Sequence, residues 1–208
     1  MKYGLYEIEK VQDESWAKPK DLIILADKLV EDTMEKSRVT KYKKIRELSS
    51  KDLDNIILSH PFSDLEGSEN FWNYSVPLVE AEHVTEETGT GFVHIAPSHG
   101  AEDFEVFLKR GWLSHMTHNV EDDSSFAVTV PFFKGLQIFN KKGKEGEGNK
   151  AVIQKLIEAD KLIARGILEH SYPHSWRSRA PVIFRNTPQW FVNIDKDLGC
   201  AFLQSGRP

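Results

Sequence analysis

Residues 89–105 read GTGFVHIAPSHGAEDFE. Two readings of this stretch compete, and the fold follows from how they are combined. In the first, Gly89 and Gly91 make a tight turn into a strand over residues 92–97. Phe92, His94 and Ala96 then share one face, and Val93 and Ile95 the other. Ser98 or His99 caps a helix over residues 100–110, and Gly111 stands where a left-handed residue ends a helix. Glu102 and Asp103 fall in its first turn, where the helix dipole stabilises a carboxylate by about 0.3–1 kcal/mol. In the second reading, the same corner presents backbone N–H groups and one carboxylate to a pocket. Helix N-termini attract anions. A carboxylate facing a ligand there would instead hold a cationic group such as an ammonium. Residue types alone leave both readings open.

Working outward, the N-terminus alternates like a strand, with Tyr3, Leu5 and Glu7 on one side and Gly4, Tyr6 and Ile8 on the other. Only Met1 and Lys2 precede it, an abrupt start that fits a natural terminus or a piece of a longer chain. Pro19, Lys20 and Asp21 open a predicted helix of about four turns, with Asp21 as N-cap and Leu22, Leu25, Ala26, Leu29 and Val30 as its stripe. TKYKKIREL reads as an exposed strand, SSKDLDN as a short capped turn, SDLEGSENFWNY as a loop and SVPLVEAEHV as a strand. Beyond the central stretch, strands are expected around FAVTVPFF and LQIFN, and KKGKEGEG as a charged loop. Asn149 caps a helix reaching about Asp160, with Val152, Ile153, Leu156 and Ile157 buried. The last fifty or so residues read as strands punctuated by prolines, LIARGILEHSYPHSWR and APVIFRNTPQWFVNI. Short strands outnumber helices, which predicts an α+β domain built on a barrel or strongly curved sheet with a few peripheral helices.

The bulk properties narrow the classes. The 208 residues suffice for one sizeable domain, and 39% hydrophobic with 28% charged residues is ordinary globular material. A net charge of −5 argues against phosphate binding over the whole surface while leaving room for a local basic face. Cys200 is the sole cysteine, so a disulfide framework and a cysteine zinc site are excluded, in keeping with a reducing cytoplasm. No apolar run approaches the roughly 20 residues of a membrane span, and MKYGLYEIEK lacks the apolar core of a signal peptide.

Other candidate sites are weaker. His115 and His118, and His170 and His174, pair without an obvious third metal ligand. Lys41, Lys43, Lys44 and Arg46 read as a solvated strand face. Arg177, Arg179 and Arg185 alternate with Trp176, Phe184 and Trp190, which suits either a solvated face or a surface that binds RNA by backbone contact and base stacking. KKGKEGEGNK lacks the spacing of a phosphate loop.

Taken together, GTGFVHIAPSHGAEDFE, HPF at 60–62 and SYPHSWRSRAPVIFRNTPQWFV at 171–192 resemble the editing domain inserted in class I isoleucyl-tRNA synthetases, in the same order and at similar spacing. The resemblance covers most of residues 60–195. His94 in VHIAP favours the isoleucyl relatives over the valyl and leucyl ones, which tend to carry lysine and methionine there. The resemblance implies hydrolysis of mischarged Val-tRNA(Ile). One methylene changes binding in an apolar pocket by only about 1–3 kcal/mol, a limit for which this synthetase family is itself the standard instance. A second site that admits valine, excludes isoleucine and cuts the ester supplies the rest.

Carried onto this sequence, Asp103 is the catalytic-site aspartate that anchors the substrate α-ammonium, and His94 shapes the fit against isoleucine. Gly89, Thr90 and Gly91 bring backbone close to the terminal adenosine or aminoacyl group, and His99 joins the substrate-binding set. Trp176, Arg177 and Arg179 are the RNA-contact candidates. No metal or other cofactor is implied, since ATP and Mg belong to a synthetase's catalytic domain. The expected partners are the 3′ end of tRNA(Ile) carrying valine and the remainder of a synthetase in cis, with no membrane, a monomeric state and a cytoplasmic location. Residues 1–170 are expected to form the editing core, and 171–208 returning strands and a linker. The ATP-site motifs HIGH and KMSKS do not occur in the sequence, as expected of an excised editing domain. The family's threonine-rich peptide, which lines the pocket opposite the aspartate and contributes hydroxyls, does not precede the first strand here, a departure from the family that counts against catalysis by this chain. A folded tRNA-contacting module without activity of its own is the alternative.

Overall fold

The alternation at the N-terminus becomes strand β1, Tyr3–Val11, with Gly4, Tyr6 and Ile8 turned inward. The structure, a computed structural model, describes residues 1–68, 70–85, 87, 89–167, 171–187 and 190, without the side chain of Ser50. β1 is the centre of a three-stranded antiparallel sheet, flanked by β2, Leu22–Ala26, and β3, Val39–Leu48. Tyr3 pairs with Ala26 and Glu7 with Leu22 on one side; on the other, the register with β3 shifts between Leu5 and Tyr6 and again around Lys10.

β2 corrects the expected helix. Its apolar spacing suits a helix, but Leu22–Ala26 is a solid apolar run that completes the β1 ladder. The Asp21 carboxylate accepts from Lys18 N–H at 2.8 Å, so it closes a turn instead of capping a helix. Helical structure begins later, with a 3₁₀ turn at Asp27–Leu29 and α1, Val30–Lys36. The first core lies between sheet and helix, where Ile8 and Met34 are almost fully enclosed beside Tyr6, Leu25, Val30 and Val39. Burial of such a side chain contributes about 1.5–3 kcal/mol. On the outer face, Lys43 pairs with Glu7 at 2.7 Å and Lys41 with Glu9 at 2.8 Å, so this basic run is a solvated, charge-matched surface.

Ser49 and Asp52 form the reciprocal cap of α2, Ser50–Asp54, in which Ser49 Oγ accepts from Asp52 N–H and Asp52 accepts from Ser49 N–H. β4, Ile57–Ser59, pairs with β5, Ser75–Pro77, which is all of the expected 75–84 strand that joins a ladder among the described residues. α3, Ala101–Arg110, ends as expected at Gly111, whose φ of 70° lets Trp112 N–H return to the Phe107 carbonyl. α4, Gly148–Glu158, starts with Glu147 at the N-cap position, two residues before the expected cap Asn149.

The second core is aromatic: Phe62, Trp72 and Phe133 with Ala127 and Val130, covered by Val152 and Leu156 of α4. Around it the expected strands at 126–133 and 136–140 are isolated bridges, Ser125 to Gln137 and Phe139 to Glu145. Positive φ at Ser124, Phe132 and Gly135 breaks the extended geometry that a ladder needs. Residues 92–97 likewise run without a ladder, as do the described parts of the two C-terminal segments apart from a bridge between His174 and Pro181. The α+β class holds. The described strands form two open sheets, and no closed barrel occurs among the described residues. Residues 191–208, including Cys200 and most of the expected linker, and His170 lie outside the described residues. No helix is long and apolar enough to cross a membrane among the described residues.

Candidate functional site

Residues 96–103 form the corner that the sequence singles out, and the backbone of a single residue, Ala96, organises it. The Ala96 carbonyl accepts from His99 N–H at 2.9 Å and Gly100 N–H at 3.0 Å, turning the chain into α3. Ala96 N–H donates to Asp103 Oδ2 at 2.9 Å. Asp103 therefore reaches back from the first turn of α3 to grip the incoming chain. A Cβ at Gly100 would meet Asp103 Oδ2 at 2.9 Å, so the close approach of that carboxylate accounts for the glycine.

Neither expected cap is one. Gly100 is the N-cap, with no side-chain cap bond. The buried Ser98 hydroxyl donates to the Thr117 carbonyl. His99 Nδ1 lies 2.8 Å from the Phe184 carbonyl, and since a carbonyl only accepts, Nδ1 carries the proton. Asn186 N–H donates to the Ser98 carbonyl at 2.7 Å, so the C-terminal segment clasps the same corner.

The other oxygen of Asp103, Oδ1, lies 3.5 Å from His83 Nε2, and both side chains are more than four-fifths buried. His83 Nε2 has no hydrogen-bond partner although it is closed to solvent. No sequence signal marked His83, which reads as an ordinary residue of SVPLVEAEHV.

Gly89, Thr90 and Gly91 act first as a strap onto the three-stranded sheet. The Gly89 carbonyl accepts from Thr33 Oγ1 at 3.1 Å, the Thr90 carbonyl from Ala26 N–H at 3.0 Å, and the Gly91 carbonyl from Tyr3 Oη at 2.7 Å. Gly91 has φ of +84°, and a Cβ there would stand 2.5 Å from Ala26 Cβ. All three carbonyls are thus engaged within the fold. Phe92 follows with its ring 4.9 Å from Tyr3.

His94 is exposed, beyond the strap. Its charge acts on His60, whose ring stacks on Trp72 at 4.4 Å and 14°. Burial first, and then His94, push the His60 pKa down to about 4, so its imidazole is neutral at physiological pH. His60 Nδ1 accepts from Phe62 N–H at 3.1 Å, which leaves the proton of the neutral ring on Nε2. Tyr74, 5.5 Å from His60, is pushed up by burial. His60, Trp72 and Tyr74 form an aromatic wall that the sequence did not predict beyond the HPF motif.

Trp176, Arg177 and Arg179 sit together at the tip of a hairpin. Ser175 N–H bonds the Ala180 carbonyl at 2.9 Å and Val182 N–H the Pro173 carbonyl at 3.1 Å. Trp176 is 82% exposed, with the Arg177 guanidinium 4.8 Å above its ring. Arg185 departs from this group: it donates to the Val120 carbonyl at 3.2 Å and pairs with Asp122, a tether and not a free cation. Two surface hollows, one between Trp16, Arg38 and Arg165 and one between Asp123, Phe139 and Arg185, contain neither Asp103 nor His94. Both hollows have carboxylates in their linings, Glu14 in one and Glu121, Asp122 and Asp123 in the other, but neither lining contains a histidine. Among the described residues no group of three or more histidine, cysteine or acidic side chains is arranged to hold a metal ion.

No family model matches the chain. Whole-sequence similarity is extensive. Over 203 residues the chain is 47% identical to isoleucine–tRNA ligase of Bradyrhizobium diazoefficiens, covering 94% of this chain and 20% of that protein. It is 47% identical over 197 residues to isoleucine–tRNA ligase of Ruegeria pomeroyi, covering 93% and 20%. For the Brucella abortus enzyme the identity is 44% over 212 residues, covering 96% and 21%. The chain spans about a fifth of the length of the curated relatives it matches.

Proposed function

The chain belongs to the isoleucine–tRNA ligase family as the counterpart of one segment of those enzymes, and from that premise we propose that it is an aminoacyl-ester editing domain. Its substrate in this reading is tRNA(Ile) mischarged with valine, and the reaction is hydrolysis of the ester at the terminal ribose. The observation that carries it is Asp103. One carboxylate oxygen is fixed by Ala96 N–H, and the other, 3.5 Å from His83 Nε2, keeps a lone pair to meet a cation at a helix N-terminus where anions would otherwise be favoured. An α-ammonium suits that oxygen.

With the ammonium held, the ester carbonyl is oriented for attack by water. Orientation and hydrogen bonding to the developing oxyanion supply the acceleration, without a covalent enzyme intermediate. His94, exposed beside the His60 wall, trims the space available to the amino-acid side chain, so that the extra methylene of isoleucine is refused. Gly89, Thr90 and Gly91 bound the site through their outward faces, and His99 holds its floor through Phe184. No cofactor takes part in this step, ATP and Mg serving aminoacylation elsewhere in a synthetase. The remainder of a synthetase is the partner in cis, with residues 1–170 as editing core, 171–208 leading away from it, a monomeric state and a cytoplasmic setting. Closure of the strands into a barrel belongs to the same reading.

A second reading, a tRNA-contacting module without autonomous hydrolysis, is favoured by the Trp176–Arg177 stack, which offers a flat cationic surface to a base. Hydrolysis of Val-tRNA(Ile) and Ile-tRNA(Ile) by the 208-residue chain separates the two. The editing reading expects cleavage of the valyl ester, lost by on the order of a hundredfold in Asp103→Ala with the fold intact. In His94→Ala the isoleucyl ester becomes a substrate. Equal hydrolysis by wild type and Asp103→Ala refutes the role of Asp103. tRNA binding without hydrolysis, weakened by Trp176→Ala, establishes the second reading.

A further inference from the structure

His83 presents a buried nitrogen without a partner. Buried polar atoms in folded proteins are nearly always hydrogen-bonded, and an exception calls for a reason. Here Nε2 is closed to solvent, lacks a hydrogen-bond partner, and stands 3.5 Å from Asp103 Oδ1, the outer limit of a hydrogen bond. The two side chains share one enclosed setting, 18% and 17% exposed. Asp103 Oδ2 is already held by Ala96 N–H. One bond alone leaves a carboxylate free to swivel about the held oxygen; a second donor on the opposite oxygen stops that rotation.

We propose that His83 is a positioning residue for Asp103, its Nε2–H directed at Oδ1 so that backbone and imidazole together fix the carboxylate toward an ammonium. The inference rests on the reading of Asp103 as the ammonium anchor and adds the group that aims it. Because Nε2 is sealed from solvent, His83 acts from behind the carboxylate and does not touch the ligand.

Two measurements on the intact 208-residue chain test this. The first is the imidazole ¹⁵N spectrum. The proposal expects the Nε2-protonated tautomer of His83, with its resonance displaced by Asp103→Asn. A ring protonated on Nδ1, or a resonance indifferent to Asp103→Asn, overturns it. The second compares binding of 3′-(L-valylamino)-3′-deoxyadenosine with its 3-methylbutanoyl counterpart, which lacks the α-amino group. Wild type should prefer the amine, His83→Phe should lose on the order of tenfold of that preference, and His83→Gln, which keeps an N–H of similar reach, should regain most of it. Unchanged preference in His83→Phe, with the preference lost in Asp103→Ala, refutes the role of His83 alone. Unchanged preference in Asp103→Ala, or none in wild type, refutes the ammonium-anchor reading, and the spectrum then decides by itself whether His83 grips Asp103.

Discussion

The two cores of this protein are held by different means. The first is a ladder, in which β1 runs hydrogen-bonded on both sides and Ile8 and Met34 fill the space beneath. The second has isolated bridges and turns where a sheet was expected, and its coherence comes from side chains, with Phe62, Phe71 and His60 ringed about Trp72. Residues 89–103 span the two. The strap fastens them to the ladder at one end, and at the other the Ser98 carbonyl and the His99 ring are bonded by Asn186 and Phe184. Between these ties His94 adds to the lowering of the His60 pKa in the aromatic wall. A segment tied at both ends to dissimilar supports can keep its shape without pairing into a sheet, as site-bearing loops on rigid scaffolds do.

The strongest way to break the contrast is Trp72→Ala. Removing a nearly buried indole from an aromatic cluster should cost about 3–5 kcal/mol. Amide hydrogen exchange should rise across residues 120–158 while the β1 ladder stays protected. A uniform rise in both regions would mean that they unfold as one unit. Gly91→Ala comes next, at about 2–4 kcal/mol, because a left-handed backbone and a Cβ 2.5 Å from Ala26 act together. Gly89→Ala, at nearly the same φ but with nothing within 4 Å, should lose only about 1–2 kcal/mol. Denaturant titration of the pair separates packing from backbone strain, and equal losses would deny the strap its tight seat.

Acid provides the gentlest probe. The His60 pKa is pushed down from 6.5 to about 4, so the unfolded chain binds the proton first. The contribution of His60 is complete above pH 6.5, shrinks as pH falls, and is gone by about pH 4. Because the ring is partly open to solvent, the loss is on the order of 1–2 kcal/mol. In the ladder, Asp27 is held below the usual carboxylate range, first by the bond from Lys44 and then by that from Tyr6. Its contribution is lost only as pH falls through that lowered range. Near-ultraviolet circular dichroism should therefore change before the sheet signal does as pH is lowered toward 4. Simultaneous loss of both would break the comparison.

What the sequence made legible divides along the same line. β1, β3 and the Ser49 cap of α2 could be read from alternation and local chemistry, as could α4 and the Gly111 end of α3, because their determinants lie within a few residues. Leu22–Ala26 could not, since its spacing also fits a helix and only the β1 edge decides between them. The strands expected at 126–140 failed because apolar content was read as a ladder where it serves a cluster of aromatic rings. At the site, Asp103 was visible as a first-turn carboxylate. His83, the His60–Trp72 stack and the tether of Arg185 depend on contacts between distant residues, which no local pattern encodes.

The strap also bears on solubility. β2 is an edge of its sheet, and its five residues, LIILA, form an apolar strip of the kind that recruits strands from other molecules. The opposite edge, β3, is defended by lysines. β2 carries no such charges, but the Thr90 carbonyl occupies the outward N–H of Ala26, so a foreign strand finds that end of the edge already taken. The residues that lead into the candidate site thus also guard the protein against self-association, and a substitution that frees them risks precipitation before it alters any chemistry.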